Sequence, residues 1–66
     1  MTKTLPITRA DIVRVAYEMI DEYGSEALAK AMYRARELRR EGFESVANTW
    51  YSVCEAIDEV QAELGQ

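Results

Sequence analysis

The stretch Arg34–Trp50, "RARELRREGFESVANTW", contains the turn that decides the fold. Leu38 and Phe43 stand on either side of Gly42, at the two positions of the hydrophobic pair in a Schellman motif. Glycine readily takes the positive φ that ends a helix at such a site. The connection to the next helix is short, so we predict two helices that fold back on each other as an antiparallel hairpin.

The start of the chain carries the signal for an earlier helix. Thr8 is followed three residues later by Asp11, which is the spacing of a capping box, although Glu or Gln is the commoner partner. Gly24 offers the left-handed conformation that commonly ends a helix. We therefore predict a first helix over about 9–23.

Helix start and stop signals in the rest of the chain predict two further helices. Ser25 is expected to cap the second helix, and Glu26 suits the positive end of its dipole. This helix is predicted over about 26–41 and the third over about 44–64.

The fold class predicted from these signals is all-α, a small three-helix bundle of antiparallel helices. No stretch alternates between apolar and polar residues as a half-buried strand does, so no sheet is expected. The 66 residues are predicted to form a single three-helix domain over 8–66, after an extended or flexible N-terminal segment over 1–7. So short a chain gains much from burying further surface against a partner or a second copy.

Each of the later helices has a readable apolar face. The third has steps of alternately four and three residues, which is typical of a bundle seam. This seam consists of Val46, Trp50, Val53, Ile57, Val60 and Leu64, with Ala47 and Cys54 beside it. The second helix has a narrower stripe rich in alanine, made of Leu28, Ala31, Met32, Ala35 and Leu38. Trp50 lies at the centre of the seam and is expected in the core.

The first helix is apolar over a wider arc than a three-helix bundle needs. Its apolar residues cover roughly 200°, against the ~120–160° that normally suffices. Val13 and Tyr17 lie on one margin of this arc and Val15 on the other. Together with Tyr33, on the polar side of the second helix, they form the candidate surface for a protein partner or a homodimer. Alternatively, the N-terminal segment folds over the spare apolar surface.

The composition argues against an enzyme. The chain has no histidine, so the commonest catalytic base and a common metal ligand are missing, and no catalytic, cofactor-binding or metal site is predicted. Cys54 is the only cysteine, which excludes an internal disulfide and fits a reducing cytoplasm. No apolar run approaches the roughly 20 residues that span a bilayer, and no signal peptide is recognisable. We expect a cytoplasmic protein with no membrane partner.

Four arginines within seven residues are unusual in an acidic chain: Arg34, Arg36, Arg39 and Arg40. The formal net charge is −4, which disfavours a nucleic-acid partner. The last two arginines fall in the final turn of the second helix, where cations complement the helix dipole. Because the third helix is acidic, we interpret the arginines as solvated and paired with its carboxylates.

Two resemblances rest on these motifs. The second and third helices resemble one hairpin of the tetratricopeptide type, through the pattern Ala35-x2-Leu38-x3-Gly42-x4-Ala47-x3-Tyr51-x2-Cys54, although Glu59 stands where that family has a terminal proline. The segments "EYGSEAL", "YRARELRREGFESVANTW" and "AIDEVQ" are similar to a set of short, uncharacterised helical proteins from proteobacteria. The second resemblance implies a bacterial cytoplasmic protein and carries no activity or site residue with it.

The sequence as a whole favours a small non-enzymatic protein-protein interaction module, an adaptor or regulator. One alternative is a nucleic-acid-associated transcriptional regulator built on a helix-turn-helix. Its recognition helix would then present Glu44, Glu55 and Glu59 to DNA, which counts against it. The other alternative is an acidic decoy that occupies a basic groove of another protein.

Overall fold

The computed structural model describes residues 8–65, and these form an all-α fold, as predicted. No strand occurs between the first and last of these residues. The predicted N-terminal segment over 1–7 lies outside the described residues. The elements are α1 (Arg9–Tyr23), a 3₁₀ turn (Gly24–Glu26), α2 (Ala27–Arg40) and α3 (Glu44–Gly65).

The start of α1 is fixed by the capping box. The Thr8 hydroxyl accepts a hydrogen bond from the Asp11 backbone N–H at 3.1 Å, and the Thr8 backbone N–H donates to the Asp11 carboxylate at 3.2 Å. Each bond satisfies a backbone donor that a helix N-terminus otherwise leaves without a partner. The predicted cap is therefore confirmed, with Asp in the place of the usual Glu.

The connection between α1 and α2 differs from the prediction. Ser25 does not cap α2, because Gly24–Glu26 form a 3₁₀ turn and α2 starts at Ala27, one residue later than expected. The Ala27 N–H donates to the Gly24 carbonyl, so the turn satisfies this donor through the backbone itself. Gly24 has the positive φ of 58° that the sequence indicated, but its ψ of −128° is not that of a left-handed helix.

The turn between α2 and α3 is the predicted Schellman motif. The Phe43 N–H donates to the Leu38 carbonyl at 2.9 Å, and the Gly42 N–H donates to the Arg39 carbonyl at 3.1 Å. Gly42 has a φ of 93°, a conformation that residues with a β-carbon rarely adopt. The motif brings α3 back against α2, and these two helices share the most extensive contact in the described chain.

The core is built mainly from small side chains. Ile57 is the largest side chain that is fully buried. The buried residues are Ala16, Ala27, Ala31, Ala35, Ala47, Val53, Cys54, Ala56, Ile57 and Val60. The prediction that Trp50 lies in the core is therefore wrong in part, since Trp50 is half-buried and packs against the edge of the core. The two ends of the predicted seam, Val46 and Leu64, are 47% and 71% exposed.

The path of α1 explains why the start of the seam is exposed. Near its start, the Arg9 guanidinium lies 3.2 Å from the Glu59 carboxylate, and just after its end the Gly24 carbonyl accepts from the Gln61 side chain at 3.0 Å. The axis of α1 rises about 21 Å between its ends, whereas Glu59 and Gln61 are two residues apart. Thus both ends of α1 contact the C-terminal half of α3, which indicates an oblique crossing, and Val46 lies more than three turns before these contacts.

The capping box allows a test with a matched control. Thr8→Ala removes the acceptor of the Asp11 N–H, and we expect the free energy of unfolding to fall by about 0.5–2 kcal/mol. Ser25→Ala removes a hydroxyl that caps nothing, and should change it by less than about 0.5 kcal/mol. Urea denaturation followed by circular dichroism measures both. Equal losses in the two variants would contradict the assignment of the caps.

The same capping box predicts a pH dependence. The Thr8 backbone N–H, the Arg14 guanidinium and the Thr8 hydroxyl hold the pKa of the Asp11 carboxyl below its usual 3.8. A lowered carboxyl pKa stabilises the fold above the unfolded-state value, and this contribution is lost as the pH falls through the folded-state value. The stability difference between the native protein and Asp11→Asn should therefore be largest near neutral pH and shrink below about pH 4. Denaturation curves that stay equally far apart down to about pH 2 would contradict this.

Candidate functional site

An open groove lies where side chains of all three helices meet. We call it the aromatic groove, and its volume is about 320 Å³. It is lined by Met19 and Tyr23 from α1, Lys30, Tyr33, Arg34 and Glu37 from α2, and Trp50 from α3. Tyr33 is 63% exposed and Tyr23 39% exposed, so the groove presents aromatic surface directly to solvent.

The spacing of residues along α2 produces one wall of this groove. Lys30, Arg34 and Glu37 follow one another at steps of four and three, so they share one flank of the helix. The Lys30 ammonium lies 5.5 Å from the centre of the Tyr23 ring. A cation–π contact of this kind contributes about 0.5–1 kcal/mol at an exposed site, and it links the end of α1 to α2.

The charges on the rim of the groove are unbalanced. Among residues 8–65, Lys30 and Arg34 take part in no ion pair. Glu37, the one carboxylate of the rim, lies 3.1 Å from the Arg40 guanidinium. The rim therefore has a local positive excess in a protein that is acidic as a whole.

The four residues predicted as a partner surface are spread over different parts of the fold. Tyr17 is 52% exposed and borders a shallow hollow on α1, while Tyr33 on α2 borders the aromatic groove. Val13 is half-buried on the same margin of α1 as Tyr17. Val15 is half-buried and packs against the core.

Sequence reasoning missed most of the aromatic groove. It placed Trp50 in the core, and it had no means of pairing Met19 or Tyr23 with α2. The sequence feature that could have indicated the groove is the apolar excess of α1, to which Met19 and Tyr23 both belong. The position of these apolar residues relative to α2 depends on the oblique crossing of α1, and no local sequence pattern encodes that crossing.

The arginines of α2 are not paired with α3. No ion pair joins these two helices in the described part of the chain, so the predicted charge matching between them is wrong. Instead α3 pairs with α1 through Arg9 and Glu59, both exposed, and such a pair contributes little. Arg36, Arg39 and Arg40 border a second open hollow together with Tyr51 of α3, which we call the arginine hollow.

The described residues offer few side chains of the kinds that enzymes use for catalysis or metal binding. Cys54 is buried, and desolvation raises the pKa of its thiol, which disfavours the reactive thiolate. Between Thr8 and Gly65, no cluster of three or more histidine, cysteine or carboxylate side chains is placed to hold a metal ion. None of the described helices is both long and apolar enough to cross a membrane.

Comparison with known proteins found no matching family model, no matching curated protein and no matching solved structure. The resemblances to a tetratricopeptide hairpin and to short proteobacterial proteins stay predictions.

Proposed function

We propose that this chain is a small non-enzymatic protein-protein interaction module, an adaptor or regulator, that works through the aromatic groove. The supporting observation is the composition of the groove, which combines Trp50 and two exposed tyrosines with Met19 and Arg34. Trp, Tyr, Met and Arg are enriched at protein interfaces, and Trp, Tyr and Arg dominate their binding energy. The proposal takes the fold as a three-helix bundle in which α1 lies obliquely across the α2–α3 hairpin.

The occupant that we propose for the groove is an acidic amphipathic helix of a partner protein. Its apolar side chains would pack against Trp50 and Tyr33, and its carboxylates would face Lys30 and Arg34. Charge complementarity supports this choice, because those two cations have no ion-pair partner among residues 8–65. Helices commonly dock by laying an apolar face into such a groove.

A homodimer through α1 is a second candidate. Tyr17 is 52% exposed, and Val13 lies beside it on the same margin of α1. A chain of 66 residues has a small core, so a two-fold contact over this margin would add buried apolar surface. Val15 contributes less to such a contact, because it packs inward.

Two other candidates from the sequence have less support. In a helix-turn-helix regulator, α3 would enter the major groove, yet its exposed residues include Glu44, Glu55 and Glu59, which repel phosphate. The same carboxylates, with Asp58 and Glu63, favour the acidic decoy, in which α3 would occupy a basic groove of another protein. We further propose a bacterial cytoplasmic location; the free Cys54 fits the reducing conditions of a cytoplasm.

Trp50 provides the readout for a test of the groove, because it is the only tryptophan. Two synthetic amphipathic peptides without tryptophan share one leucine-rich face and carry either glutamates or lysines on the other. We expect the glutamate peptide to shift Trp50 emission to saturation and to bind at least about tenfold more tightly than the lysine peptide. Tyr33→Ala should weaken its binding.

The control for the groove test is a charge change outside the groove. Lys30→Glu with Arg34→Glu should reverse the preference between the peptides, whereas Arg36→Glu with Arg39→Glu changes the net charge equally and should preserve it. Equal effects of the two double variants would contradict the proposed groove. Salt-sensitive binding of random duplex DNA at sub-micromolar concentration would favour the nucleic-acid alternative instead.

The homodimer is tested by light scattering coupled to gel filtration. At about 100 μM protein we expect a dimer that Val13→Glu or Tyr17→Glu dissociates without loss of helix. Val46→Glu, on the exposed start of α3, is the control and should leave the dimer intact. A monomeric native protein at this concentration would exclude the homodimer and leave the groove proposal unaffected.

A further inference from the structure

The arginine hollow is a second basic surface, on the other flank of α2 from the aromatic groove. Arg36, Arg39 and Arg40 follow one another at i, i+3 and i+4, so they are neighbours on the helix surface. Tyr51, which is half-buried, closes the hollow on the α3 side. The hollow is open to solvent and has a volume of about 420 Å³.

The charges in this hollow are only partly compensated. The Arg40 guanidinium lies 3.1 Å from the Glu37 carboxylate, which neutralises it. Arg36 and Arg39 are exposed and form no ion pair with any residue from Thr8 to Gly65. Two like charges three residues apart on a helix repel each other, and among the described residues neither of these two arginines has a carboxylate in an ion pair with it.

The helix dipole explains the position of only some of these arginines along α2. Arg39 and Arg40 are in the last turn of α2, where cations complement the negative end of the helix. Arg36 lies before that turn, and the dipole gives no reason for a cation there. A ligand with two negative charges, placed between Arg36 and Arg39, would relieve their repulsion.

We propose that the arginine hollow binds a dianionic phosphate group. Guanidinium groups hold phosphate oxygens through paired N–H donors, and clusters of arginines are a recurrent means of recognising phosphorylated side chains. The phosphate comes either from a phosphorylated side chain of a partner protein or from free inorganic phosphate. This site does not depend on the aromatic groove.

Acidic residues near the hollow limit the size of its ligand. Glu55 lies one helical turn after Tyr51 on α3, and Glu44 lies on the same exposed side of that helix. They disfavour an extended polyanion such as a nucleic acid strand, which would have to pass over them. A single phosphate group that lies over α2 avoids this repulsion.

The test follows arginine side-chain and backbone amide signals by NMR at about pH 7.5, where phosphate is mainly dianionic. The probes are inorganic phosphate and two otherwise identical peptides that carry either phosphoserine or serine. We expect saturable shifts at Arg36 and Arg39, and about tenfold weaker binding in Arg36→Gln or Arg39→Gln. Arg9→Gln, which removes the same charge outside both the hollow and the aromatic groove, should leave the affinity within about twofold.

The ranking of the probes identifies the source of the phosphate. Tighter binding of the phosphoserine peptide than of inorganic phosphate supports a phosphorylated partner, and the reverse order supports free phosphate. Glu55→Gln should strengthen binding by about twofold at low salt. Shifts that never saturate, or an equal loss of affinity in Arg9→Gln and Arg36→Gln, would overturn the proposal. Circular dichroism checks that each variant stays folded.

Discussion

The close approach of α2 to α3 is the constraint on which the rest of this fold depends. Ala27, Ala31 and Ala35 have no exposed surface and lie on one side of α2, and α2 and α3 share the most extensive contact in the described chain. Small side chains allow two helices to pack with a short distance between their axes. The consequence is a tight hairpin in which large apolar side chains have little room, and Ile57 is the largest that is fully buried.

This hairpin determines where the two candidate surfaces lie. Large apolar residues that it cannot bury pack at its edges, and the oblique course of α1 covers the C-terminal part of α3 more than its start. Met19, Tyr23 and Trp50 therefore meet at an open groove and not in a closed core. Because the two flanks of α2 carry separate groups of cations, a helix with five basic residues and one acidic residue borders two separate open surfaces, the aromatic groove and the arginine hollow.

The sequence predicted those parts of the fold that local chemistry controls. The capping box at Thr8 and the Schellman motif at Gly42 were correct, because each involves residues close together in the chain. The expected cap at Ser25 was wrong, because backbone hydrogen bonds of a 3₁₀ turn satisfy that helix start. The periodicity of α3 correctly placed Trp50 on its apolar face. How deeply Trp50 is buried, however, depends on the crossing angle of α1, which periodicity does not report. The aromatic groove depends on that angle, and the arginine hollow depends on how side chains of α2 and α3 meet; periodicity reports neither.

The most direct test of this account compares two alanines of α2. Ala31 is fully buried in a core cluster that includes Val53, Cys54 and Ile57 of α3, whereas Ala29 is exposed on the same helix. If the close approach of the helices controls the fold, Ala31→Leu should lower the free energy of unfolding by about 1–3 kcal/mol or more, because the added side chain has no space. Ala29→Leu should change it by less than about 0.5 kcal/mol. Urea denaturation that finds the two variants equally stable would contradict the account.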